Sequence, residues 1–264
     1  MDNIVEVKNL IKKFGDFAAI SGASFSVKRG QIFGFLGPNG AGKTTIIRIL
    51  TTLLKRTSGE VLINGKDPQT SANDVRRSFG IVFQDASLDE DLTAKENMEF
   101  HGVLFKVPKI IRRERTEQLL KYVELWDRKD ELVKNFSGGM KRRLEIARGI
   151  LHHPKIFFLD EPTLGLDPQT RNHIWSYIKN LNQQEGITVF FTTHYMEEAS
   201  RVADEIAIID HGKIIQQGTP QELKELTKSD SLEDAFLALT GKTLRDEEAS
   251  SSDRLRERFR RFRH

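Results

Sequence analysis

Eight consecutive residues constrain this chain more than any others. Gly37-Pro38-Asn39-Gly40-Ala41-Gly42-Lys43-Thr44 fits the pattern G-x-x-x-x-G-K-[ST], and Thr45 follows directly. The apolar residues 31–36 before it read as a strand, and residues 43–54 after it read as a helix. Glycines let the backbone curl so that successive N–H groups point inward. The following helix turns its positive end toward the same place. The loop is therefore a cradle for phosphate oxygens. Lys43 is spaced to reach the outer phosphates of a nucleotide, and the Thr44 hydroxyl to help hold Mg²⁺.

A strand-loop-helix of this kind belongs to an α/β chain, and the remaining sequence agrees. Residues 4–10 and 24–27 read as strands, with a turn at Lys28-Arg29-Gly30. Residues 60–63 and 80–83 read as further strands, the first followed by a turn at Asn64-Gly65. From about 93 to 153 the β-branched runs vanish. Leu119, Tyr122, Val123 and Trp126 recur at helical spacing, and the block reads as a helical insert. After Pro154, strands at 156–159, 187–192 and 205–209 alternate with helices near 169–182 and 196–202. That alternation predicts a mostly parallel sheet covered on both faces. With no internal repeat, residues 1–241 are expected to form one nucleotide-binding unit, followed by a polar and then basic tail over 242–264.

The apolar run Ile156-Phe157-Phe158-Leu159 ends in Asp160-Glu161. A buried parallel strand delivers both carboxylates to the sheet's C-terminal edge, beside the phosphate loop. Asp160 is suited to bind Mg²⁺, through water, and Glu161 to polarise an attacking water as general base.

Phe136-Ser137-Gly138-Gly139-Met140 stands shortly before that pair. It resembles the signature motif of the ABC ATPases, usually written LSGGQ. Other marks of that family follow in order. Gln84 after the strand at 80–83 matches the Q-loop, Gly165-Leu166-Asp167 the D-loop, and His194 the switch histidine. Phe14 lies where the family places an adenine-stacking aromatic, with Phe17 as its competitor. The resemblance covers about residues 4–241. It implies a P-loop core of ABC type with an N-terminal β subdomain and an inserted helical subdomain. It also implies ATP and Mg²⁺ as cofactors, with Gln84 joining Thr44 and Asp160 at the metal. Ser137, a natural helix N-cap, would act with Gly138, Gly139 and Met140 on nucleotide held by a second subunit, so that a dimer sandwiches two ATP molecules. Met140 and Phe136 depart from the usual Gln and Leu. With the stretches SGGMKRRLEIARG and SLEDAFLALTG, they look like the branch of daunorubicin-resistance-type exporters, whose ATPases pair with a separate integral membrane permease.

Composition supports that setting. The sequence has no cysteine, which excludes a disulfide framework and fits a reducing cytoplasm. MDNIVEVKNL lacks the pattern of a signal peptide, and no apolar run is long enough to span a bilayer. The expected location is peripheral, on the cytoplasmic face of the membrane. The net charge of +3 conceals a basic end: residues 254–264 carry six Arg and one Glu. The remainder is slightly acidic and shows no nucleic-acid footprint. A non-transport ABC ATPase acting on nucleic acid or the ribosome is the alternative, but it would bring a coiled coil or a second set of motifs. The acidic stretch 85–92 is a candidate permease contact. Leu255, Phe259 and Phe262 could form a short basic amphipathic helix at the membrane.

Overall fold

The computed structural model describes residues 2–241. The amphipathic stripe expected of Leu255, Phe259 and Phe262 falls outside the described residues. Two sheets stack in the fold. The first is antiparallel and joins β1 (Asn3–Phe14), β2 (Phe17–Lys28) and β4 (Ser58–Ile63) in the order β2-β1-β4. The second contains β3 (Ile32–Leu36), β5 (Phe79–Val82), β6 (Ile156–Asp160), β7 (Thr188–Thr192), β8 (Glu205–Asp210) and β9 (Lys213–Gly218). Its order is β5-β6-β7-β3-β8-β9, parallel except for β9, which pairs antiparallel with β8.

Every residue of β3, β6 and β7 is buried. Such strands need cover on both faces, and their alternating side chains supply two separate cores. Phe33, Phe35, Phe158 and Phe190 pack with the first sheet and with α1 (Lys43–Leu50). Ile32, Phe157, Val189 and Phe191 pack with helices on the other face, α5 (Gly138–Gly149), α6 (Pro168–Glu185) and α7 (Met196–Val202).

Several elements differ in extent from the sequence expectation. β1 and β2 are longer than expected and form one hairpin, closed where Phe14 faces Phe17 across a turn at Gly15 and Asp16. α1 ends at Leu50 because Thr52 takes a left-handed φ of 66°, and the N–H groups of Leu53 and Leu54 turn back to the Arg48 carbonyl. Helix α2 (Ala72–Ser78) is an addition. The 94–149 stretch holds α3 (Ala94–Leu104), α4 (Lys109–Tyr122) and α5. α4 stops before Trp126, because Glu124 sits at φ 58° and Trp126 opens a short 3-10 turn instead. Near the end, α8 (Pro220–Thr227) and α9 (Leu232–Thr240) pack together, with Leu232 and Phe236 buried in the helical core. No helix among the described residues is long and apolar enough to cross a membrane.

Two contacts tie the helical segment to the parallel sheet. A Cβ on Gly80 in β5 would lie 2.0 Å from the Gly149 carbonyl oxygen at the end of α5, so backbone meets backbone there. Beside it, the Phe105 ring stacks on His152 with centroids 3.8 Å apart, and His101 lies 4.6 Å from Phe105. His152 donates from Nε2 to the Phe79 carbonyl at 2.9 Å, which fixes its tautomer. Burial, reinforced by the nearby Arg148 charge and by His152, pushes His101 down to about 3, and burial likewise pushes His152 down to about 4.

Both histidines are neutral in the fold and take up protons on unfolding below their ordinary value of 6.5. Their stabilising contribution is therefore complete above pH 6.5 and shrinks as the pH falls toward the folded values. Chemical denaturation from pH 7 to pH 5 should show the wild type losing about 1–2 kcal/mol more than His101→Phe. Parallel losses in the two proteins would separate this cluster from acid sensitivity.

Candidate functional site

The site is assembled where three parallel strands end side by side. In register, Phe35 of β3 and Asp160 of β6 both lie level with Thr192 of β7. The phosphate loop leaves β3 here, and Gly37 packs so tightly that a Cβ would sit 2.3 Å from the Ile209 carbonyl oxygen. Gly42, at φ 110°, would likewise drive a Cβ to 2.5 Å from Ile20. Both positions require glycine. α1 begins at Lys43 with Gly42 as its N-cap. Among the described residues no side chain caps it, and no acidic residue lies in its first turn. The positive end of the helix is thus suited to an anion. Lys43 is buried, and its ammonium donates to the carbonyls of Gly37 at 2.5 Å and Pro38 at 3.0 Å, which curls the loop about it.

A cavity of about 590 Å³ opens over this loop. Pro38, Asn39, Gly40, Gly42, Lys43, Thr44 and Thr45 form its floor. Gln84, Glu161 and His194 form one wall. Phe14, Phe17 and Ala19 line the cavity as well. The Phe14 ring carries the Lys12 ammonium 4.7 Å from its centroid, whereas Phe17 is the more exposed of the two. The sequence named both rings, and the cavity receives both. Gly37, Ala41 and Asp160 are buried and do not line the cavity.

Thr192 organises the acidic edge. Its hydroxyl donates to Asp160 Oδ1 at 2.6 Å and accepts from the Glu161 N–H at 3.1 Å. Glu161 takes φ 50°, rare for a side chain of this kind, and the contact to Thr192 holds that turn. Glu161 Oε1 meets His194 Nε2 at 2.5 Å, while Oε2 is buried with no hydrogen-bond partner among the described residues. Burial raises the Asp160 carboxyl above its ordinary range, and the adjacent Glu161 charge adds to this. The Thr192 hydrogen bond and the Lys43 charge oppose it. Two buried neighbouring carboxylates and an orphaned oxygen form a site short of positive charge. A divalent cation with its phosphate ligands would supply that charge. The oxygen donors Thr44, Gln84 and Asp160 are hard ligands that suit Mg²⁺. No three His, Cys, Asp or Glu cluster as a ready metal cage among the described residues.

The remaining candidates lie apart from the cavity. Ser137 caps α5 by accepting from the Met140 N–H at 3.3 Å. Gly138 faces Leu166, and a Cβ on Gly139 would touch Thr170 at 2.9 Å, so the signature and D-loop segments are neighbours within the chain. The Met140 side chain is turned inward, and its sulfur accepts from Arg128 at 3.3 Å. Only the backbone at Met140 can therefore serve an anion. Gly165 supplies a left-handed φ of 75°, and Asp167 caps α6 by accepting from the Thr170 N–H at 2.9 Å. The Thr170 hydroxyl and N–H hold the Asp167 carboxyl below its usual range.

Two further residues of the site, Thr192 and Glu198, are absent from the sequence expectation. Buried Glu198 accepts from Thr163 Oγ1 at 2.8 Å and Trp175 Nε1 at 2.9 Å, joining the turn after Glu161 to α7 and α6. A polar residue closing an apolar strand is the available signal for Thr192; Glu198 carries none.

A nucleotide cradle at the C-terminal edge of a parallel sheet, with a capped glycine helix presented elsewhere on the same chain, defines an ATP-binding cassette. The model of the ABC transporter family matches residues 20–164, and the chain belongs to that family. It is 43% identical over 228 residues to a daunorubicin/doxorubicin resistance ATP-binding protein of Streptomyces peucetius, covering 86% of this chain and 69% of that protein. It is 43% identical over 220 residues to the Nod factor export ATP-binding protein I of Ralstonia nicotianae, covering 83% and 68%. Among solved structures, an ATP-binding subunit of an ABC transporter superposes with a TM-score of 0.82 at 26% identity, over 89% of this chain and 99% of that one. A cassette described as dimeric, in a post-hydrolysis state with ADP and Pi, gives 0.71 at 31% identity, over 81% and 98%. The chain is an ATP-hydrolysing subunit of a transporter.

Removing the Thr192 hydroxyl by Thr192→Val strips Asp160 of its donor and the Glu161 turn of its brace. Steady-state phosphate release should fall about tenfold or more, in line with loss of one preorganised polar contact. Binding of a fluorescent ATP analogue should change little, because the phosphate loop is untouched. Wild-type turnover would remove Thr192 from the machinery.

Proposed function

We propose that this subunit powers export through a separate integral membrane permease, working as one of two cassettes that enclose two ATP molecules between them. One observation carries this reading: Ser137, Gly138 and Gly139 do not line the cavity that Lys43 and Glu161 share. One chain thus presents one phosphate cradle and, outside that cavity, the Ser137-capped N-terminal end of α5. Two chains placed head to tail would give each nucleotide both. The relatives' names, drug resistance and Nod factor export, support outward transport.

Each residue then has a task. The loop residues 37–45 bind the phosphates, and Lys43 neutralises their charge. A ring of Phe14 or Phe17 stacks on the base. Thr44, Gln84 and Asp160 would hold Mg²⁺, which when bound offsets phosphate charge. Glu161 takes the proton of the attacking water, and His194, 2.5 Å from its carboxylate, orients it. Gly165, Leu166 and Asp167 shape the rim toward the second subunit. With these groups, Glu161→Gln should bind ATP and accumulate as an ATP-bound dimer in gel filtration, with phosphate release lowered about 10²-fold or more. A monomer with normal turnover would refute both the base and the dimer.

The subunit would sit on the cytoplasmic face, beneath the permease. The acidic loop near residue 90 is partly neutralised within the chain: Glu90 pairs with Lys141 at 2.5 Å and Asp91 with Lys134 at 3.5 Å. An apolar stripe continues from it. Asn97 bonds to the Asp89 backbone at both its N–H and carbonyl, and along α3 Phe100 and Leu104 follow, both more than 60% exposed. Ile110, at the start of α4, is 75% exposed. We place the permease contact on this loop and stripe together. Phe100→Ser with Leu104→Ser and Ile110→Ser should abolish co-purification with the permease from detergent while shifting the subunit's melting temperature by no more than about 2 °C. Undiminished co-purification would move the contact elsewhere.

A further inference from the structure

Helix α5 does more than present Ser137 and the two glycines. Three of its residues, spaced so that they share one face, grip the segment that carries Gln84. Arg142 donates to the Phe83 carbonyl at 2.7 Å, to the Gln84 carbonyl at 3.0 Å and to Glu145 Oε2 at 3.0 Å. Glu145 is almost wholly buried, and its other oxygen accepts from the Ser87 N–H at 2.7 Å and the Ser87 hydroxyl at 3.3 Å. Arg148 donates to the Ser87 carbonyl at 2.8 Å and to its hydroxyl. The residues joined in this way are 58 to 61 positions apart in sequence. The Gln84 side chain itself is exposed and lines the nucleotide cavity. Its backbone is thus fastened to α5 while its amide faces the nucleotide.

We infer that Arg142 and Glu145 are positioning residues for ATP turnover, fixing the Gln84 backbone to the signature helix so that the amide in this chain's own cavity and the helix end serving the second nucleotide move as one body. The inference rests on the role proposed above for Gln84. Two properties favour it over simple packing. Charge-assisted bonds to carbonyls hold a loop at a defined angle, which an apolar contact does not. A buried Arg-Glu pair is also a poor way to gain stability, because desolvation cancels most of the attraction. Its geometry, which satisfies carbonyls of an otherwise exposed loop, is what a replacement by apolar residues would lose.

The test is a cycle of full-length variants: Glu145→Gln, Gln84→Ala and the two combined. Steady-state phosphate release gives kcat and KM, and a fluorescent ATP analogue gives Kd. Glu145→Gln keeps an oxygen for Ser87 but removes the charge that holds Arg142. Its kcat should fall about tenfold, as a displaced group in an active site does. Kd should stay within about twofold, because Lys43 and its loop are unaffected. If Glu145 acts through Gln84, the combined variant should be no slower than Gln84→Ala alone. Glu145→Asp should recover part of the rate. Arg142→Met with Glu145→Met serves if the single variant folds poorly: it removes both charges of the pair together, Arg148 keeping its Ser87 bonds, and it should show the same loss of kcat at unchanged Kd. Wild-type kcat in either variant, or losses that multiply in the cycle, would overturn the inference while leaving Gln84 in place. Wild-type turnover in Gln84→Ala would instead overturn the role of Gln84, and this inference with it.

Discussion

The register of β6, β7 and β3 is the constraint on which the site depends. Hydrogen bonding across these strands sets Asp160, Thr192 and Phe35 at one level, so three loops with different chemistry leave the sheet together. A slip of one residue in β7 would turn Phe190 and Phe191 to each other's faces and carry Thr192 away from Asp160. The strands resist that slip because Phe190 lies within 5.5 Å of Phe33, Phe35 and Phe158 on one face. On the other, Phe191 meets Trp175 edge-on at 4.7 Å. The aromatic cores thus hold in place a hydroxyl that bonds to both acidic residues.

Charge is arranged around that edge in an uneven way. Asp160 is buried next to Glu161, and both burial and that neighbour raise the free energy of its ionised form. The Thr192 hydrogen bond and the Lys43 and Arg48 charges offset only part of this. Glu161, which lines the cavity, carries both a buried oxygen without a hydrogen-bond partner among the described residues and a strained φ. Strain and unmet charge are concentrated where a phosphate, a cation and water would arrive. A structure selected for stability alone would place neither there.

Much of this is legible in the sequence, for identifiable reasons. The loop around Lys43, the carboxylates after the apolar run at 156–159 and the cap at Ser137 are each written in a few adjacent residues, and local backbone chemistry dictates their shape. The tight turn at Asn64 and Gly65 follows the same rule, with both residues at positive φ. What escapes a sequence reading depends on distant partners or on unannounced backbone turns. The end of α4 before Trp126 and the early end of α1 at Leu50 are set by left-handed residues, Glu124 and Thr52, whose types do not announce them. Thr192 gains its meaning only from a strand 32 positions away in sequence. Arg142, Glu145 and Arg148 have the composition of a solvated helical face, yet the first two are buried against loop residues 58 or 59 positions earlier in the sequence.

The close approach of Gly80 and Gly149 has a mechanical consequence. At that point no side chain stands between α5 and β5, so the helix rests on the sheet as a beam rests on a pivot. Its other end, where Ser137 lies, is about 16–18 Å along the axis from this support. A tilt of about 5° at the pivot would carry that end by about 1.5 Å, more than the tolerance of a hydrogen bond to phosphate. Backbone contact of this kind leaves little slack, because two glycines admit no rotamer that could absorb the motion. A small tilt near the edge strand would thereby be delivered, enlarged, to the surface that a neighbouring cassette would meet.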